Sequence, residues 1–61
     1  MRNDLSQTIK EHFLKVLELD PQFSKAYYQL ALIYQNNGND KEAEIHLLKA
    51  IKFDLLHIDK F

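Results

Sequence analysis

Three histidines, His12, His46 and His57, and the carboxylates Asp40, Glu42 and Glu44 are the side chains that suggest metal binding or proton transfer. On a helix, Glu42 and His46 share a face at i, i+4. A structural zinc site takes about four ligands at close spacing. This sequence has no cysteine and no two histidines within one helical turn of each other, so the donor count fails. Asp40 and Glu44, also i, i+4, suit a solvated helix start, where negative charge meets the positive end of the helix dipole. Ser6 and Ser24 have no neighbouring His and Asp to activate them, and the single glycine, Gly38, cannot build a phosphate-cradling loop. These residues predict no enzyme, no metal site and no cofactor.

The stronger pattern is internal repetition. Residues 11–20 (EHFLKVLELD) and 45–54 (IHLLKAIKFD) align at a spacing of 34. His12/His46, Leu14/Leu48, Lys15/Lys49 and Asp20/Asp54 are identical pairs, and Phe13/Leu47, Val16/Ala50, Leu17/Ile51 and Leu19/Phe53 keep apolar character. A period of this length marks stacked helical pairs, which present binding surfaces rather than reaction chemistry.

The elements that carry the pattern are three helices. Leu5, Ile9, Phe13, Val16 and Leu17 follow one helical face, predicting a first helix over 5–20 that Asp20-Pro21 ends, because proline restricts the residue before it and donates no hydrogen bond. A second helix from Phe23 or Ser24 to Asn37 carries Tyr27, Leu30, Ala31 and Tyr34 at i, i+3, i+4 and i+7, with Ser24 read as its N-cap. Asn36-Asn37-Gly38 supplies a left-handed cap, and Asn39 with Glu42 resembles a capping box for a third helix over about 40–53. Ala43, Leu47, Ala50 and Ile51 are expected on the inward side of that helix. Leu55 to Phe61 has enough apolar residues to begin a further helix, and no segment shows a strand pattern.

At these residues the chain resembles the tetratricopeptide repeat family, whose pattern runs W-x2-L-G-x2-Y, A-x3-F and P. Tyr27-x2-Leu30-Ala31-x2-Tyr34 and Ala43-x3-Leu47 keep both spacings, and Ile9-x3-Phe13 with Pro21 gives the second half of a preceding unit. Leu55 stands where the family has proline, which leaves the exit from the third helix open, and Phe61 falls where a following unit would place its first aromatic. The resemblance implies one all-α domain over 1–61, a helical-repeat solenoid of three antiparallel helices plus the start of a fourth. Its parts would be the second helix of a partial repeat (5–20), one complete repeat (24–57) and the beginning of another (58–61).

The resemblance also implies a concave groove lined by first helices, here by Lys25, Tyr28, Gln29, Leu32, Gln35 and Asn36, that holds a peptide or protein surface. Tyr28 and Leu32 stand where members that clamp a C-terminal carboxylate use charged or amide groups, so that mode is not expected. The alternative is structural self-assembly, a homo-oligomer completing its stack through Ala43, Leu47, Ala50, Ile51 and Phe61, because about three repeats are generally needed for stability and a 61-residue chain buries only about 60% of its unfolded surface. A helix-turn-helix reader of nucleic acid is a distant third: 8 basic against 9 acidic residues give a net charge of -1 and no basic footprint. The longest apolar run, Leu30 to Tyr34, is far short of the roughly 20 residues of a membrane span, and MRNDLSQTIK lacks the apolar core of a signal peptide. A cytoplasmic protein with a protein or peptide partner, and without a nucleic-acid or membrane partner, is the resulting expectation.

Overall fold

The computed structural model describes residues 4–58, and they form three helices: α1 (Asp4–Leu19), α2 (Ser24–Asn36) and α3 (Asp40–Ile58). Among the described residues there is no strand, and no helix is long and apolar enough to cross a membrane. Leu55, Leu56 and His57 do not begin a new helix. They extend α3, because no proline interrupts the backbone after Asp54. Residues 59–61, with Phe61 and the expected start of a fourth helix, lie outside the described residues.

The chain turns twice, by different chemistry. Asp20 donates its N–H to Val16 O at 2.9 Å to finish α1, and its carbonyl accepts Phe23 N–H at 3.1 Å across a turn with Pro21 second. Its Oδ1 accepts Gln22 N–H at 3.3 Å, and Tyr27 Oη donates to Pro21 O at 3.0 Å, tying this turn to α2. At the other end of α2, Gly38 has φ +83. Gly38 N–H donates to Gln35 O at 3.0 Å and Asn39 N–H to Tyr34 O at 2.8 Å, the paired bonds of a Schellman cap. Asn39 serves the start of α3 through its carbonyl, which accepts Ala43 N–H at 3.0 Å.

Ser24 is not the N-cap of α2. Phe23 holds that position, without a side-chain cap, and the Ser24 hydroxyl instead donates to Asp54 Oδ1 at 3.0 Å. The continuation of α3 past Asp54 makes this possible, since the carboxylate rides on a regular helix beside the first turn of α2.

The described chain measures 46 × 22 × 13 Å. The second helix lies between α1 and α3, which do not pack against each other. Among the described residues, the buried apolar set is Ala26, Leu30 and Ala31 on α2 and Ala50 on α3, with Leu30 the only large member. Three alanines here let the helix backbones approach.

Of the Ala43, Leu47, Ala50 and Ile51 expected on the inward side of α3, Ala50 is buried and Ala43 half-buried, while Leu47 and Ile51 are exposed. Only Ala50 of these is fully covered, and its partners are His46 and Phe53 at i−4 and i+3. Tyr27 stacks on Phe53 with centroids 5.5 Å apart. His46 sits 4.9 Å from the Tyr34 ring and 6.0 Å from that of Tyr27. Leu47 and Ile51 stay 42% and 41% exposed.

A Cβ added at Gly38 would meet nothing within 4 Å, so its cost is backbone conformation alone. Gly38→Ala is expected to destabilise by about 1–2 kcal/mol, and Gly38→Asn by less, because asparagine tolerates the left-handed region. Urea denaturation followed by circular dichroism reads the difference; an Ala variant as stable as the parent would show that the cap does not hold the turn.

Candidate functional site

The second and third helices separate on the side away from Phe53 and His46 and leave a cleft of ≈ 410 Å³. Its volume falls within the range of about 300–1,000 Å³ typical of small-molecule pockets. Ala31 on α2 and Ala43 on α3 are small and leave this space unfilled. Tyr28 and Leu32, one turn apart, line it from α2, and Leu47 lines it from α3. Gln35, Asp40 and Glu44 complete the lining. No lining residue is cationic. Leu32 is 53% exposed and Leu47 42%, an apolar pair at water in a chain with few buried residues to spare.

Two groups of residues expected to serve different purposes meet here. Tyr28, Leu32 and Gln35 come from the predicted partner-binding groove, while Ala43 and Leu47 come from the predicted self-association face. Lys25, Gln29 and Asn36 are exposed on α2 but do not line the cleft. Ala50 is consumed by the α2–α3 interface, and Ile51 continues the exposed apolar line of α3 beyond the cleft. Sequence reading missed Asp40 and Glu44 as members, although their i, i+3 spacing to Ala43 and Leu47 placed them on neighbouring helical rows.

The histidines are engaged differently. His46 Nδ1 lies 2.8 Å from Glu42 O; a carbonyl only accepts, so Nδ1 carries the proton. The Glu42 carboxylate is 3.9 Å from the same nitrogen. Among the described residues, no third His, Cys, Asp or Glu joins them in a group able to hold a metal. His12, the counterpart one period earlier, is exposed and meets the edge of Phe13 at 5.1 Å.

A family model described as tetratricopeptide repeat matches residues 12–45, more than half of the chain. Neither the comparison with curated proteins nor that with solved structures gives a match.

Site and scaffold are separable by stability. Leu30 is fully buried, so Leu30→Ala is expected to cost about 3 kcal/mol, whereas Leu32→Gln and Leu47→Gln on the open cleft should each cost under about 1 kcal/mol. Equilibrium denaturation of the three variants checks this. A Leu47→Gln loss equal to that of Leu30→Ala would place the cleft in the core.

Proposed function

Because the chain belongs to the tetratricopeptide repeat family, whose repeats mediate protein–protein interaction, we propose that it is an interaction module whose α2–α3 cleft receives a side-chain ridge of a partner protein or peptide. The observation that carries this reading is the cleft itself: Tyr28, Leu32 and Leu47 form a concave apolar surface with polar groups at Gln35, Asp40 and Glu44. Exposed apolar surface in one place favours burial by another molecule at about 25 cal/mol per Å² of apolar area covered. The rest of the predicted groove, Lys25, Gln29 and Asn36, would supply hydrogen bonds and charge at the edge of the contact.

Self-association is the second reading, and one observation favours it. Leu47, Ile51 and Leu55 succeed each other at i, i+4 and i+8 along α3, each at least 41% exposed. A second copy could cover this line together with the cleft. Foreign partner and second copy would then compete for the same residues, and substituting one wall of the cleft would weaken both associations.

The test is a nuclear magnetic resonance titration of the ¹⁵N-labelled chain with amphipathic helical peptides, paired with sedimentation velocity over a concentration series. Amide shifts centred on Tyr28, Leu32, Gln35, Ala43 and Leu47, with a sedimenting mass that stays monomeric, are expected for the interaction module. Concentration-dependent dimerisation that shifts the same amides without peptide would favour self-assembly. Shifts confined to Lys25, Gln29 and Asn36 would remove the cleft from the function.

A further inference from the structure

The molecule contains its own example of a helix docked where the cleft now stands open. The 34-residue period makes α1 the counterpart of α3, and α1 packs on α2. Ile9, Phe13 and Leu17 of α1 therefore correspond to Ala43, Leu47 and Ile51 of α3, while Ser6 and Lys10 correspond to Asp40 and Glu44. In a stack of equivalent units each interface repeats the pose of the one before it. A helix docked at the α3 cleft would thus meet Glu44 where α2 meets Lys10, with Asp40 one turn away at the position of Ser6.

Two changes along this correspondence describe the occupant. The first is charge. At the existing interface the Lys10 ammonium lies 5.2 Å from the centroid of the Tyr34 ring, in the last turn of α2; a cation over an aromatic face is attractive. Glu44 puts an anion at the equivalent place, with Asp40 one turn away and no cation among the cleft residues. The second is volume. Ala43 replaces Ile9 and Leu47 replaces Phe13, and the open space beside them is ≈ 410 Å³.

We propose that the cleft takes a basic amphipathic helix, docked in the pose α2 holds against α1, with a Lys or Arg in its last turn beside Glu44 and bulky apolar residues over Ala43 and Leu47. This rests on the reading that the cleft receives a partner and goes on to state that partner's chemistry. The chain's own α2 is a poor occupant, because Tyr34 would turn the electron-rich face of its ring toward the Glu44 carboxylate. A second copy docking through α2 is disfavoured for the same reason.

The test uses three fluorescein-labelled, lactam-stapled peptides the length of α2, with leucines at i, i+4 and i+7 and a last-turn Lys, Glu or Tyr. Fluorescence anisotropy against the intact chain is expected to rank Lys first, about ten-fold tighter than Glu at low ionic strength, with the gap narrowing as salt screens the exposed charges. Glu44→Lys, checked for unchanged helicity by circular dichroism, should reverse the order of Lys and Glu. Equal affinities for the three peptides, or an order that Glu44→Lys leaves intact, overturn the basic-helix proposal. If Leu47→Gln then abolishes binding of all three, the interaction module stands without it. Failure of every peptide to bind overturns both, and a wild-type dimer that the Lys peptide does not dissociate assigns the cleft to a second copy and overturns the proposal.

Discussion

Three helices packed in series, α1 on α2 and α2 on α3 with no contact between α1 and α3, enclose little interior. Each helix can bury the stripe that meets its neighbour, but apolar residues outside those two seams stay at water unless another molecule covers them. This is why the buried apolar set among the described residues is three alanines and one leucine, and why Leu5, Leu19, Leu32, Leu48 and Leu55 are all more than half exposed. Full burial of Leu30 contributes about 2–3 kcal/mol, and alanines add little. A molecule that covered the exposed apolar residues would add to the small buried area that holds the fold. By mass action, a partner that binds only the folded chain stabilises it.

The α2–α3 hairpin nevertheless holds a definite shape, because it is pinned at both ends. The Schellman cap around Gly38 fixes the turn, and the Ser24 hydroxyl on Asp54 fixes the far end through a hydrogen bond to a carboxylate. Between them lies the ring seam of Tyr27, Tyr34, His46 and Phe53. The Lys49 ammonium, 5.9 Å from the Tyr27 centroid, adds a cation to it. This seam fills one side of the hairpin with large flat groups while Ala31 and Ala43 leave the other side thin. The cleft follows from that asymmetry, and a cleft already formed would lower the ordering cost of the proposed binding.

The helices, both turns and the left-handed glycine were legible in the sequence, because each has a local cause: apolar spacing, Asp20-Pro21, Asn37-Gly38. The family was legible for the same reason, since its spacings are properties of one helical hairpin. What sequence could not order was the two apolar sides of α3. His46, Ala50 and Phe53 form one row and Ala43, Leu47 and Ile51 another, and periodicity alone does not say that the first packs on the α2 rings while Leu47 and Ile51 of the second stay exposed. A serine hydroxyl near a helix start has two outlets, and which one Ser24 takes depends on a carboxylate 30 positions away that only the length of α3 brings into reach. The cleft was split into two sets of residues because its walls come from different helices.

The identical pairs of the repeat show how far sequence identity carries a role. Asp20 and Asp54 are the same residue one period apart. Pro21 stops α1, so the Asp20 carboxylate folds onto the turn at Gln22 N–H; Leu55 lets α3 run on, so Asp54 reaches across to Ser24. His46 lies against the rings of a neighbouring α2, whereas His12 has no helix before it among the described residues and its side chain is exposed. In each pair the residue sets what interactions are available, and the adjoining element decides which one forms. Surface positions of a repeat follow the same logic in reverse: Lys10 and Glu44 occupy equivalent positions of the period with opposite charge, so in the proposed docking the shared backbone geometry would keep the pose while the side chain at that position would select what docks. Reuse of a stacking geometry with altered rim charges would let one architecture accept different helices at successive seams without changing the fold that holds them.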